Sequence, residues 1–293
     1  MKKYKFELLK GSKHITCPSC QRKTFKPYVY AGTTNIVDPY KYGRCERLNN
    51  CGYISYPNVK GSDFEEWTPP VRRAYQAPTP DFIPKKIVES SFSRFEKNTF
   101  FMWLVAIFGK ITALQLQENY CIGTAKNNGT IFWQKDSKGN FRAGKVMYYQ
   151  PNGKRNKDKN SWYVHNKIKK NFELVQVFFG EHLTNPYKPI ALCESEKTAI
   201  LMSAFEPQYT WLASGGANML NLYRLTRLPR LDLVSPDNGA FKLWENQTAI
   251  FKNRKMDVRV EKAVRDGTLQ IGADILDLIL IEKGLEKVTL IPK

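Results

Sequence analysis

The chain has 293 residues, 42% hydrophobic and 13% aromatic, which supplies one sizeable core or two modest ones and excludes a disordered polymer. Its formal charge is +19, and the excess is localised: residues 1–60 hold 12 Lys and Arg against 3 Asp and Glu, residues 125–170 hold 12 against 2, and the remaining stretches balance. The longest apolar run, 100–108, falls short of the roughly 20 residues that span a bilayer, and the amino terminus lacks the apolar segment of a secretion signal, so the sequence predicts a cytoplasmic protein with no membrane partner.

Four of the six cysteines come first in the chain, as Cys17-Pro-Ser-Cys20 and Cys45-Glu-Arg-Leu-Asn-Asn-Cys51 with 24 residues between the pairs. Two pairs at this separation predict a zinc ribbon in which each pair offers two thiolates to one structural zinc ion. The second pair is wider than the usual knuckle, so His14 stands as a reserve ligand. A disulfide framework is the competing reading, weakened by the missing secretion signal. Cys121 and Cys193 lie in apolar surroundings and read as core thiols, and His165 and His182 as ordinary packing or surface residues.

Residues 68–84 contain five prolines, which interrupt both helices and central strands, and predict a semi-extended linker. Beyond it, 93–118 is helical in character with a break near Gly109. Residues 130–134 and 141–150 alternate as strands around turns at 136–140 and 151–154, giving a small antiparallel unit. This unit carries the second basic block. Lys135, Arg142, Lys145, Lys154 and Arg155 interleave there with aromatic residues including Trp133, a combination suited to the phosphates and base faces of single-stranded nucleic acid. A solubilising surface is the alternative use of such charge. Residues 176–180 form a short apolar strand or core segment.

From 188 onward the pattern changes to strands at 188–193, 209–214, 231–235 and 256–260 alternating with helices near 196–205, 217–227 and 240–253. That alternation predicts a parallel sheet with crossover helices. Glu194 and Asp237 then fall at strand carboxyl ends, the edge where such sheets bind ligands. Two carboxylates there, in a basic protein, suit a Mg or Mn ion working on phosphates. Ser214, Gly215 and Gly216, expected just before a helix, make a candidate phosphate loop or a simple tight turn.

The elements around Glu194-Ser-Glu-Lys-Thr-Ala199, Ser214-Gly-Gly216 and Ser235-Pro-Asp-Asn238 resemble a Toprim domain, the metal-binding α/β unit of bacterial-type primases and topoisomerases. The order of zinc ribbon, basic unit (Gly129 to Arg155) and Toprim is similar to that of bacterial primases, most of all to a primase-like group from Bacteroidetes and their mobile elements. The resemblance implies an α/β protein divided into a zinc ribbon (1–67), a proline-rich linker (68–86), a basic α+β subdomain (87–180) and a Toprim-like parallel sheet flanked by helices (181–293). It implies that Glu194 acts as general acid or base or as a metal ligand, and that Asp237 binds Mg²⁺. It also implies single-stranded DNA or other nucleic acid as partner, alongside a helicase or replication protein. Two positions depart from the pattern: Ser195 stands where glycine is usual, and Gly239 where a second aspartate is usual. Glu196, Asp232 or Glu245 could replace that carboxylate, and Asp274 matches a late acidic element. Two classes of function follow: a primase-like nucleotidyltransferase, or a catalytically degenerate Toprim protein that binds DNA, with a Toprim-type nuclease as a third option.

Overall fold

A computed structural model describes residues 5–47, 51–57, 79–216 and 219–290. The chain forms two compact units, 1–76 and 77–293. The proline-rich stretch lies outside the described residues as far as 78. Its described end is held rather than free: the Asp81 and Ile83 amides donate to the Glu173 and Phe141 carbonyls, and residues 85–86 already belong to a helix.

The first unit is an antiparallel sheet of short strands, β1 (Phe6–Leu8), β2 (Ile15–Thr16), β3 (Lys23–Tyr30), β4 (Gly43–Cys45) and β5 (Ile54–Ser55), with β3 at its centre. β3 alternates inward and outward side chains, burying Phe25 and Val29 on one face. Little apolar surface is available: Cys17, Phe25 and Cys45 make up its fully buried cluster. A core this small needs a further crosslink.

The second unit starts with α1 (Lys85–Ser91) and α2 (Thr99–Asn119). By length and composition α2 is apolar enough to cross a bilayer. However, Gly109 leaves the helical region (φ 78°, ψ 164°) and divides it, as the sequence predicts, and Phe100, Trp103, Leu104, Ala113 and Leu116 are buried in the main core. An antiparallel sheet follows, of β6 (Ile122–Thr124), β7 (Thr130–Lys135), β8 (Phe141–Met147) and β9 (Trp162–Tyr163), with the short α3 (His165–Ile168) after it. These strands match the predicted basic unit.

The rest of the chain builds a four-stranded parallel sheet from β10 (Ile190–Cys193), β11 (Thr210–Ala213), β12 (Leu233–Val234) and β13 (Lys255–Met256), in the order β11-β10-β12-β13. Helices α4 (Glu196–Phe205), α5 (Leu222–Leu225), α6 (Phe241–Gln247), α7 (Arg259–Arg265) and α8 (Ile275–Glu282) connect or follow the strands. Alternate side chains serve two cores. Ala191, Cys193, Trp211 and Ala213 face the cluster formed with α2, α4, α7 and α8, while Ile190, Leu192, Leu212 and Val234 face Leu220, Leu225, Leu228 and Trp244. The apolar segment 176–180 adds an antiparallel bridge, with Phe179 paired to Ala213. The fold is thus mixed α/β with an amino-terminal ribbon and a parallel sheet covered by helices, as predicted. Three helices differ from expectation: of 217–227, whose first two residues lie outside the described ones, Leu222–Leu225 is α-helical; 240–253 shortens to Phe241–Gln247; and Arg259–Arg265 is helical where the strand at 256–260 is expected to end.

Trp133 was expected to offer its ring to a base, and it lies in the core instead. It is fully buried, its indole N–H donates to Ser91 Oγ (3.0 Å), and its ring lies across Gly144, where an added Cβ would come within 2.4 Å of it. Truncation to alanine should therefore act on folding, costing about 3–5 kcal/mol in denaturant melts. A loss of nucleic-acid affinity with unchanged stability would contradict this placement.

Candidate metal and nucleic-acid site

In the first unit the four cysteines converge. Cys17 and Cys20 come from the turn closed by the Gln21 amide donating to the Cys17 carbonyl (2.9 Å), Cys45 from the end of β4, and Cys51 from a turn whose amide donates to the Arg47 carbonyl (2.7 Å). Their sulfurs all lie within 4.8 Å of one another, with Cys17–Cys51 at 3.8 Å and Cys20–Cys45 at 4.0 Å. Four thiolates around zinc at about 2.3 Å would stand about 3.8 Å apart, so the donors fit a tetrahedral ion. The Arg22 and Tyr53 backbone N–H groups pull the Cys20 and Cys51 thiols down, Cys20 to about 6, which favours the ligating form, while burial pushes Cys17 up to about 11. The wide second pair is accommodated without His14, whose Nε2 is 2.5 Å from Glu46 instead.

In the second unit the carboxylates gather at the carboxyl edge of the parallel sheet. β10 is followed in sequence by β11 on one side and later by β12 on the other, so the winding order of this parallel sheet reverses between β10 and β12. Glu194 directly follows β10, and Asp237 follows β12 by three residues. Asp274 and Asp277 arrive from α8. Each of these two side chains accepts from the other residue's amide, a reciprocal cap on the helix. Asp274 also accepts from the Thr198 hydroxyl (2.5 Å).

Burial pushes the Asp237 carboxyl up to about 8, and the charges of Asp274, Glu194 and Asp277 push the same way, while Lys197 opposes them. The Cys193 thiol is raised well above its ordinary value by burial and by Asp274, Asp237, Glu196 and Glu194, which marks one neighbourhood of carboxylates around the end of β10. Among the described residues, only the four cysteines bring three or more ligating atoms within 4.8 Å, so the carboxylates do not by themselves form a closed ligand set.

The positions that depart from the Toprim pattern have local reasons. Ser195 caps α4, accepting from the Thr198 amide (3.1 Å), a task glycine would leave undone. Gly239 has φ +90°, a conformation that strains any L side chain, and its exposed turn is braced by Glu261, which accepts from Asn238 Nδ2 (3.1 Å). Asn238 in turn ties the turn to the loop before α8, donating its amide to the Ala273 carbonyl and accepting from the Gly272 amide. Of the suggested replacement carboxylates, Asp232 pairs with Arg230 at the opposite end of β12, Glu245 pairs with Lys242 on α6, and Glu196 is held by Lys145.

Residues 217–218, where a helix is expected to begin after the Ser214-Gly215-Gly216 loop, lie outside the described residues; the α-helix that follows, α5, begins at Leu222, capped by Asn221. The Gly215 amide donates to the Glu194 carbonyl (2.9 Å) and Ser214 is fully buried, so the loop braces Glu194. Arg224, which carries no sequence signal, fastens this loop from below with bonds to the Ser214, Met219 and Val177 carbonyls.

Among the basic residues, Arg142 is buried in an ion pair with Asp136 (2.7 Å), and Lys145 is engaged with Glu196. Both are expected to face nucleic acid; in the structure Arg142 is turned inside, and Lys145, partly buried, is engaged by a carboxylate of the protein. Lys154 and Arg155 are exposed, as are Lys138, Lys157 and Lys159, and Lys135 is half-buried. The 151–155 turn meets the first turn of α4, where Lys197 Nζ donates to the Gly153 carbonyl (3.5 Å), and the Lys154 charge opposes the burial that raises Asp277.

A zinc beta-ribbon finger family matches residues 2–65, and a family described as a domain of unknown function (DUF6371) matches residues 98–237. No curated protein matches the chain. Similar solved structures include the primase fragment of the bacteriophage T7 primase-helicase, at 14% identity and TM-score 0.41 over 95% of this chain and 96% of that one. The Aquifex aeolicus primase (10% identity, TM-score 0.32, 54% of this chain and 43% of that one) and a Pseudomonas aeruginosa primase domain (12%, 0.30, 62% and 67%) also align.

Two predictions follow from the site. Purified protein should carry one zinc per chain by elemental analysis, falling near zero in a Cys20→Ser/Cys45→Ser variant; full zinc in that variant would contradict the four-thiolate assignment. For Asp237, the metal-free native state keeps its proton to about pH 8, whereas the unfolded chain releases it near pH 4. Between those values the unfolded state binds fewer protons, so stability falls as pH rises through that window and levels off above it. Asp237→Asn should remove this slope, leaving the metal-free variant about 2–4 kcal/mol more stable than the parent at pH 8.5 and little different near pH 5. Parallel stability curves would contradict the crowded-carboxylate geometry.

Proposed function

We propose that this chain is a primase-like Toprim protein that binds single-stranded nucleic acid and performs metal-dependent nucleotidyl transfer on it. The observation that carries the reading is the placement of Glu194 and Asp237 after the adjacent parallel strands β10 and β12, where the winding order reverses, in a buried site where nearby carboxylates add to the burial that raises Asp237 to about 8. Repulsion of that kind is relieved by a divalent cation, and Glu194 and Asp237 would hold Mg²⁺ or Mn²⁺, which when bound neutralises phosphate charge and polarises the transferred phosphoryl group. Lys197, beside the cluster, and Lys154 and Arg155, on the exposed turn, would orient the phosphates of template or nucleotide. The zinc ribbon contributes its own basic surface. In this reading 87–180 and 181–293 are the strand-binding and metal-binding parts of a replication protein, with a helicase or another replication factor of a phage or mobile element as partner.

Gly239 favours a second reading. Its backbone at φ +90° disfavours an aspartate, so the family's second carboxylate cannot simply be restored there, and a protein that holds DNA without turnover is the consequence. A template-dependent primer synthesis assay with Mg²⁺ or Mn²⁺ separates the two. The wild type should make labelled product and Glu194→Gln should lose it at least a hundredfold; no product with either metal would leave the binding reading, and cutting of the template would point to a nuclease.

The strand-binding part has its own test. Replacing Lys154, Arg155 and Lys157 together by glutamine should weaken oligonucleotide binding and lower the magnitude of the salt slope by about 2, since each lost phosphate contact removes about 0.7 on a single strand. An equal loss from replacing three exposed lysines of the parallel-sheet half would contradict it.

A further inference from the structure

Lys145 lies on β8, in the antiparallel sheet, and reaches across to the parallel sheet. Its ammonium donates to both Glu196 carboxylate oxygens (3.0 Å each) and to the Gly215 carbonyl (3.1 Å). Glu196 is 3% exposed and the Lys145 side chain 15%. All three donor positions of the ammonium are therefore used. The two partners belong to the same neighbourhood as the metal-binding carboxylates: Glu196 follows Glu194 by two residues in the first turn of α4, and Gly215 donates its amide to the Glu194 carbonyl.

Resting on the metal-site reading above, we propose that Lys145 is an internal lock on Glu196. While the ion pair is closed, Glu196 is withheld from the cation and the carboxylate set is one short, the deficit that Gly239 leaves. A phosphate group that takes the Lys145 ammonium releases Glu196 toward Glu194 and Asp237, so that the cation is bound tightly only when phosphate is present. The exchange is balanced in charge: one oxyanion replaces another on the lysine, and the freed carboxylate finds its counter-charge in the divalent ion. Phosphate oxygens are suited to the competition because they bind ammonium at least as well as a carboxylate does. The lock also keeps a lone buried carboxylate from being stranded when no metal is bound.

The experiment is a Mn²⁺ titration followed by electron paramagnetic resonance on the zinc-loaded full chain. It uses the wild type, Lys145→Met, Lys145→Gln, Glu196→Gln, the Lys145→Met/Glu196→Gln double variant, and Asp237→Asn as the marker for the site. The lock predicts that Lys145→Met binds Mn²⁺ about tenfold more tightly than wild type, that Glu196→Gln alone gives no gain because it leaves the Lys145 charge uncompensated, and that the double variant loses the gain. Lys145→Gln keeps a donor toward Gly215 and gives the same reading should the methionine variant not fold. A gain that persists in the double variant reflects simple removal of a positive charge and overturns the lock, as does the absence of a gain. Adding a saturating single-stranded oligonucleotide should tighten Mn²⁺ binding in the wild type and not in Glu196→Gln; equal tightening in both overturns release by phosphate. Mn²⁺ binding that Asp237→Asn abolishes, without a Glu196-dependent gain, removes the lock and leaves the metal site standing. No binding to any variant removes both.

Discussion

Carboxylates brought together at one end of a parallel sheet repel one another, and much of the surrounding structure offsets that repulsion. Glu194 and Asp237 are delivered by adjacent strands, and Asp274 and Asp277 by the start of α8. Each acid is then restrained in a different way. Asp274 and Asp277 are bound into the reciprocal helix cap, Asp274 takes the Thr198 hydroxyl as well, and Glu196 is neutralised by Lys145. Asp237 carries what remains: burial first, and the charges of Asp274, Glu194 and Asp277 after it, raise its carboxyl. A site that accumulates negative charge at a fixed place, when the same chain could have spread it over the surface, has a cation as its natural complement.

The same economy explains where the positive charge goes. The block at 125–170 is internally divided. Arg142 and Lys145 point inward, one satisfying Asp136 and the other joining the antiparallel sheet to Glu196, while the residues on the turns remain in solvent. Strand geometry makes the distinction, because side chains on β8 alternate between faces and both faces are covered, whereas the 136–140 and 151–161 segments leave the sheet. The ribbon solves a different problem with the same kind of chemistry. Its buried apolar cluster is very small, and four thiolates around one ion supply the crosslink that the core cannot.

Much of this is legible in the residues. Cysteine spacing gives the ribbon, the change from antiparallel turns to strand and helix alternation gives the parallel sheet, and Gly109 gives the division of α2. The placement of Glu194 and Asp237 after strands is readable because each follows an apolar run, whereas the reciprocal cap of Asp274 and Asp277 comes from the structure. Other features are illegible for physical reasons. Nothing local distinguishes a lysine that faces solvent from one that crosses to a buried carboxylate 51 residues away, so Lys145 and Arg142 look like surface charge. Trp133 reads as a stacking residue until Gly144 is known to lie under its ring. The Ser-Gly-Gly loop reads as a phosphate cradle until its amide is seen turned to Glu194, and Arg224 acquires meaning only from three carbonyls distant in sequence.

The account turns on whether one cation sits between the ends of β10 and β12. The most direct measurement is a crystal of the zinc-loaded protein soaked in Mn²⁺ and examined by anomalous diffraction. The account predicts a manganese peak within ligand distance of the Glu194 and Asp237 carboxylates, distinct from the zinc in the ribbon and absent in Asp237→Asn. Zinc in the ribbon with no manganese between these two residues, at a concentration that saturates ordinary Mg²⁺ sites, would contradict it.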